Sequence, residues 1–260
     1  MFGTQLGLSS VHFEWDTIDD ALTKASDYGC DGVEWFAHEF TDAELAEIAK
    51  LAPTAGMNVA YHAPYTGEWD LGLTDVPTGT RLLKSAVRSA HKMGAKMLVA
   101  HLGRVPDDDL DRAVDNSVAI VGSVVQELER FGVTLALEND TYCHYDNPVA
   151  VEPQTFVDFF DQLRSDSVAM ALDVGHSHVT GNTEEFIEVC GDEIVYLHIA
   201  DNDGTDDQHL GPSDGNIDWE DVFSRLGGCG FSGGLAIEFN EINLSPALPM
   251  FRELAAKYFK

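Results

Sequence analysis

Eight short apolar runs, each followed by a longer segment of helical periodicity, constrain this chain more than any other feature. The runs are Gln5–Leu8, Gly32–Trp35, Asn58–His62, Met97–His101, Thr134–Glu138, Val168–Asp173, Ile194–Ala200 and Gly234–Glu238. The helical segments cover Thr17–Tyr28, Thr41–Ala55, Gly79–Gly94, Asp107–Phe131, Glu152–Arg164, Thr183–Cys190, Asp218–Cys229 and Ser245–Tyr258. Strict alternation of strand and helix calls for parallel strands joined by helical crossovers. Eight such units predict an α/β chain folded as a single (β/α)8 TIM barrel over residues 1–260. An open doubly wound sheet fits less well, because the chain has no Gly-rich phosphate loop. No linker or low-complexity stretch marks a second domain.

Local signals agree with these bounds. Thr41 followed by Glu44 is a capping box for the second helix. Gly29, Gly94, Gly132, Gly191 and Gly230 stand after helices, where a left-handed residue ends the last turn. The longest irregular stretches, Ala63–Thr78, Asn139–Val151 and Asp201–Ile217, all follow strands, so a barrel gathers them on one face.

Bulk properties narrow the function. Hydrophobic residues make up 44% of the chain, and no apolar run approaches the roughly 20 residues that span a bilayer. The start, MFGTQLGLSS, carries neither a basic segment nor a long apolar one, which argues against a secretion signal and for the cytoplasm. Asp and Glu number 45 against 15 Lys and Arg, a formal charge of -30. With regular apolar patterning throughout, that charge reads as a solvated acidic surface suited to high internal salt, as in a halophile. It argues against a nucleic-acid partner, which requires clustered Lys and Arg. Cys30, Cys143, Cys190 and Cys229 form no CxxC pair and read as buried free thiols.

The chemistry collects at the strand ends. His62, His101, Glu138, Asp173, His198 and Glu238 each stand at or near the end of an apolar run, and a barrel brings those ends into one ring. Singly, each reads as a satisfied polar residue or a cap. Together, three carboxylates and three imidazoles face one another at a cost that a cation relieves. Mixed oxygen and nitrogen donors suit Mn2+, Co2+, Zn2+ or Fe2+ better than Ca2+. His176 lies three residues past Asp173, and Asp207 and His209 lie in the glycine-containing loop after the seventh strand. His178 is expected to point elsewhere, and His12, His38, His91 and His144 read as structural or surface residues, with His38 and His144, on site-face loops, the alternative substrate contacts. Aromatics of the mouth loops (Trp35, Phe36, Tyr65, Trp69, Tyr142, Tyr145) either stack on a substrate or close the barrel.

Taken together, the motifs HAPY at His62–Tyr65, VAHLG ending at Gly103, LEND at Leu137–Asp140, DVGH at Asp173–His176, LHIADNDG at Leu197–Gly204, HLGPSDGNIDW at His209–Trp219 and IEF at Ile237–Phe239 resemble those of the xylose isomerase-like TIM barrels. That superfamily holds sugar isomerases and epimerases together with AP endonucleases of the endonuclease IV type. In the sugar branch the resemblance implies one divalent ion held by Glu138, Asp173, His198 and Glu238. It further implies that Glu138 and Glu238 exchange a proton through an enediolate, with His176 on a substrate oxygen. Ketose 3-epimerases carry an Arg shortly after the strand-seven His, and HIADNDG has none. The endonuclease branch implies three zinc ions, on His62, His101 and Glu138; on Glu138, Asp173, His198 and Glu238; and on His176, Asp207 and His209. The expectation is a metal-dependent sugar or sugar-phosphate isomerase or epimerase with one Mn2+, Co2+ or Zn2+ ion. The alternative is a trinuclear zinc phosphodiesterase acting on abasic DNA. A binding protein without turnover fits the intact donor set least. The partner is then a small polyhydroxylated molecule rather than nucleic acid or membrane, and a homo-oligomer is compatible with the sequence.

Overall fold

The computed structural model describes residues 5–106, 109–143, 146–240 and 243–259. Its strands are β1 (Leu6–Ser9), β2 (Gly32–Phe36), β3 (Asn58–His62), β4 (Met97–His101), β5 (Thr134–Glu138), β6 (Val168–Asp173), β7 (Ile194–Ile199) and β8 (Gly234–Ile237). Each pairs in parallel with the next, and β8 closes on β1. The helices among the described residues are α1 (Ile18–Asp27), α2 (Asp42–Ala55), α3 (Val76–Met93), α4 (Leu110–Gly122), α5 (Val125–Phe131), α6 (Pro153–Gln162), α7 (Val174–Thr180), α8 (Thr183–Cys190), α9 (Trp219–Gly228) and α10 (Leu244–Tyr258). The fold is the eight-stranded barrel that the alternation predicts. None of the described helices is long and apolar enough to cross a membrane.

Two departures from the expected helices exceed a shift of a few residues at an end, such as the start of α3 at Val76 rather than Gly79. The segment expected as one helix from Asp107 to Phe131 is two; residues 107 and 108 lie outside the described residues. It breaks at Ser123 and Val124, where the Ser123 hydroxyl donates to Ile120 O at 2.6 Å and competes with the helical ladder. The short helix α7 has no counterpart in the sequence expectation. Asp173 ends β6 and caps α7 at once, its Oδ1 accepting from His176 N at 2.7 Å, so strand passes to helix without a loop. The capping box at Thr41 and Glu44 forms as expected. Gly191 is not left-handed: it is αR, and it must be small because an added Cβ would meet Cys229 Sγ at 2.6 Å.

Strand periodicity places the site. Outward positions such as Leu8, Trp35, Leu98, Leu137, Leu172 and Ile237 are buried in the large core between barrel and helices. Inward positions carry smaller side chains in the lower barrel, chiefly Ala60, Val99, Ala136, Ala171 and Ala236, with Met97 and Tyr196. Two residues above these, the same faces present His62, His101, Glu138, Asp173, His198 and Glu238. A register shift between β6 and β7 pairs Met170 with Ile194 but Ala171 with Tyr196. The extra residue restores parity and sets Asp173 directly beside His198.

Candidate functional site

Glu138 is the hub of the strand-end ring. Its Oε2 lies 3.0 Å from His62 Nε2 and 3.2 Å from His101 Nε2, and its Oε1 lies 2.9 Å from His198 Nδ1. His198 Nδ1 is also 3.6 Å from Glu238 Oε2 and 3.9 Å from Asp173 Oδ2. Donor atoms of Glu138, Asp173, His198 and Glu238 all lie within 4.8 Å of one another, and all four residues are buried. The structure thus brings together the four residues that the sequence singles out as one ligand set.

The histidines share an arrangement. His62 Nδ1 donates to Ala63 O at 2.8 Å, His101 Nδ1 to Asp140 Oδ1 at 2.9 Å and His176 Nδ1 to Asn139 O at 2.8 Å. His209 Nδ1 donates to Glu238 O, and His198 Nε2 donates to Glu34 Oε2 at 3.2 Å. A neutral imidazole carries one proton, so each inner nitrogen presents a lone pair. Those lone pairs face carboxylate oxygens, acceptor against acceptor, an arrangement that holds only with a proton or a cation between them. His176 Nε2 and His209 Nε2 face Asp207 Oδ2 at 3.7 and 2.8 Å. All nine residues named from the sequence therefore meet at one face, in three loci: on Glu138 Oε2, around His198 Nδ1 and on Asp207.

The electrostatics report a shortage of positive charge. Burial acts upward on Glu138, but His198 and His101 beside it, with hydrogen bonds from His198 and His62, hold its carboxyl well below the usual range. Burial, reinforced by Glu34, Glu138 and Asp173 against the opposing pull of His198, pushes Glu238 up to about 7. Burial also raises Asp173. Burial opposes charge on His198, yet Glu138, Glu238 and Glu34 hold its imidazole well above the ordinary histidine value. Burial is likewise outweighed at His101, where Asp140 and Glu138 push it up to about 9. Asp173 Oδ2 and Glu238 Oε1 are buried without a hydrogen-bond partner among the described residues. A donor set of this kind fits a divalent cation.

The loop after β7 is pinned by Asp201. Its buried carboxylate accepts from Asn202 N at 2.9 Å and Ile217 N at 3.1 Å on Oδ1, and from Ser213 N at 3.2 Å and Trp219 Nε1 at 3.1 Å on Oδ2. Backbone bonds between Asp201 and Leu210 close its base. His209 is held there at φ 48°, a left-handed value, which turns its ring toward Asp207.

Two further residues join the site that the sequence does not single out as donors. Glu34, in the run GVEWF, lies on the inward face of β2 and is fully buried. The sequence does carry a signal for it: one acid in an otherwise apolar strand, at the parity of the ring. His12, expected to be structural, lies in a 3-10 turn after β1, its ring 4.8 Å from that of His209. Its Nε2 is buried without a partner among the described residues, and it forms a potential donor group with His209 and Glu238. Closure of β8 on β1 brings it there.

The remaining expectations divide. His178 turns to Asn216 and His91 stacks on Phe131, as surface or structural residues do. His38 packs on Phe40 and Trp15. Phe36 and Tyr65 lie against His62 and His101 in the mouth. Trp35 does not: it is an outward residue of β2, buried edge-on against Trp15 and Phe40. Tyr142 is exposed, and Trp69 packs on the core. His144 and Tyr145 lie outside the described residues. Arg104 is held by buried Asp70, through its Nε at 2.8 Å and its backbone N at 2.9 Å. Cys30 and Cys190 are buried thiols as expected, whereas Cys229 is half-buried and Cys143 is exposed.

A family model described as a xylose isomerase-like TIM barrel matches residues 22–257. An uncharacterized protein of Methanocaldococcus jannaschii is 24% identical over 252 residues, covering 92% of this chain and 84% of that protein. The fructoselysine 3-epimerase of Shigella flexneri is 24% identical over 262 residues, covering 91% of this chain and 93% of the epimerase. The crystal structure of a D-tagatose 3-epimerase-like protein matches with a TM-score of 0.87 at 20% identity, covering 98% of each chain. With that family model running from α1 to α10 of a closed parallel barrel, the chain belongs to the xylose isomerase-like TIM barrel family.

Proposed function

We propose that the protein is a divalent-metal-dependent isomerase or epimerase of a small polyhydroxylated carbonyl compound, a sugar or sugar phosphate. The observation that carries this reading is the approach of Glu138 and Glu238, from β5 and β8, to the same histidine nitrogen, His198 Nδ1. Glu138, Asp173, His198 and Glu238 would hold the ion. When bound, a divalent cation there acts as a Lewis acid that polarises a carbonyl and acidifies the neighbouring C–H. One of the two glutamates takes that proton while the electron pair moves into the substrate enediolate. The other returns a proton to the carbon on the opposite face, inverting it. Phe36 and Tyr65 wall the mouth, and His176, whose Nε2 faces Asp173 and Asp207, would meet a substrate oxygen. The epimerase relatives support this reading.

A trinuclear zinc phosphodiesterase is the second reading, favoured by the three loci of inner histidine nitrogens. Against it stand 15 basic residues opposed by 45 acidic ones, and a mouth-side Arg104 already engaged by Asp70. A DNA backbone requires several such cations.

Elemental analysis of the purified protein separates the two. The expected result is about one manganese, cobalt or zinc per chain, with solvent deuterium entering a ketose on the carbon that is inverted. Three zinc ions per chain together with cleavage of an abasic oligonucleotide would reverse the order of the readings.

A further inference from the structure

We infer that Glu34 is the positioning residue that fixes the tautomer of His198 and raises its strength as a metal donor. The inference rests on the proposed ligand set of Glu138, Asp173, His198 and Glu238. Glu34 is itself no member of that set. It meets His198 at Nε2, the nitrogen opposite the one that faces the three carboxylates.

The chemistry follows from what a carboxylate can do. An ionised carboxylate only accepts, so Glu34 Oε2 at 3.2 Å requires the proton of His198 to sit on Nε2. The other nitrogen, Nδ1, lies 2.9 Å from Glu138, 3.6 Å from Glu238 and 3.9 Å from Asp173. An ion bound there would take the place of a proton on Nδ1, while Glu34 keeps the remaining proton on Nε2 and leaves Nδ1 as the ligand. A negative acceptor on the far nitrogen also pushes electron density toward Nδ1 and makes it a better ligand.

The placement is costly enough to need such a role. Glu34 and His198 are both fully buried, and the contact reaches across the barrel interior from β2 to β7. Glu34 Oε1 makes no close hydrogen bond among the described residues, although the buried Tyr196 phenol lies beside the same carboxylate. A fourth carboxylate beneath Glu138, Asp173 and Glu238 adds repulsion that a neutral side chain of the same shape would avoid. Three of the other ring histidines manage with a backbone carbonyl (Ala63, Asn139 or Glu238) on the outer nitrogen. His198, the histidine of the four-donor set, has a carboxylate there instead, as His101 has in Asp140.

The test is metal affinity rather than turnover. Metal-free wild type, Glu34→Gln and Glu34→Ala are titrated with Mn2+ and with Co2+ against a chromophoric chelator, and the Co2+ absorption bands are recorded. Both variants are expected to bind about 10- to 100-fold more weakly, with the Co2+ bands shifted as the histidine donor weakens. Glu34→Gln keeps the shape and removes a buried charge, so it is expected to fold, and far-ultraviolet dichroism of the metal-free protein checks this. Wild type that binds the ion while both folded variants match it within twofold would overturn the role of Glu34 and leave the ligand set standing. Wild type that binds no divalent ion would overturn both, and the two failures are thereby told apart.

Discussion

Glu138→Gln and Glu238→Gln are each expected to lower kcat by about 10²- to 10⁴-fold, the contribution of a positioned proton-transfer group. Their effects on the stability of the metal-free protein are expected to be opposite. The Glu238 carboxyl, ordinarily near 4.5, is pushed up to about 7 in the fold, chiefly by burial. Between those values the folded chain keeps a proton that the unfolded chain has lost, so metal-free wild type loses stability as pH rises through that window. The amide of Glu238→Gln carries no such charge, and at pH 8 the metal-free variant should melt above wild type. The Glu138 carboxyl is held well below its ordinary value: burial opposes this, but His198, His101 and the bonds to His198 and His62 outweigh it. That group adds stability at neutral pH which disappears as pH falls below the ordinary value. Its replacement also removes the negative charge that His62, His101 and His198 share and leaves one acceptor oxygen in place of two, so metal-free Glu138→Gln should melt below wild type. Thermal melts in excess chelator, alongside turnover of the loaded enzyme, check both halves. Near-normal turnover in either variant would refute the proton-transfer role of that residue. Equal melting shifts of one sign would refute the electrostatic account of the ring.

The strands are legible because period-2 alternation and burial on both faces leave a strong pattern, and the six ring residues interrupt it at the same height. The break between α4 and α5 is harder to see. Nothing apolar changes at Ser123, and the local signals are Gly122, a weak helix former, and the Ser123 hydroxyl bonded to Ile120 O. Helix α7 hides because DVGHSHVT looks like a polar loop until Asp173 is seen to serve as strand end and cap together. Glu34 escapes notice because its strand ends two residues later, in Phe36, so it does not look like a terminus. Trp35 is misplaced for the same reason of parity: a residue next to an inward glutamate must point outward. His12 needs the closure of β8 on β1, a long-range fact with no local trace. All nine site residues can be named from the sequence, but the outer acceptors that fix each histidine's tautomer cannot, because they arrive from other strands and from backbone carbonyls.

Asp201→Asn is expected to destabilise the fold by about 2–6 kcal/mol, although the two side chains have the same shape, because two of the N–H groups now paired with the carboxylate lose their acceptor, each at roughly 1–3 kcal/mol. Four donors converge on that carboxylate: Asn202 N and Ile217 N on one oxygen, Ser213 N and Trp219 Nε1 on the other. An amide has one acceptor oxygen, and its NH₂ must face donors whichever way it is turned. Relaxation of the loop is restricted, because Gly215 approaches so closely that a Cβ there would lie 2.2 Å from Asp201 Oδ1. Ser213 is held in the left-handed region at φ 77° within the same turn. Chemical denaturation gives the free energy, and Trp219→Phe supplies the control. It removes one of the four donors, so in the Asp201→Asn background it should cost less than in wild type, a favourable coupling of about 1 kcal/mol or more. A loss below about 0.5 kcal/mol for Asp201→Asn would show that the carboxylate does not hold the loop, whereas additive effects of the two substitutions would mean that the amide oxygen faces Ser213 and Trp219. The same variant bears on the site, because Asp207 and His209 ride on the segment that Asp201 closes through Leu210. If the Asp207 locus takes part in binding, Asp201→Asn should weaken substrate affinity while the four-donor set, carried on β5 to β8, still binds its ion.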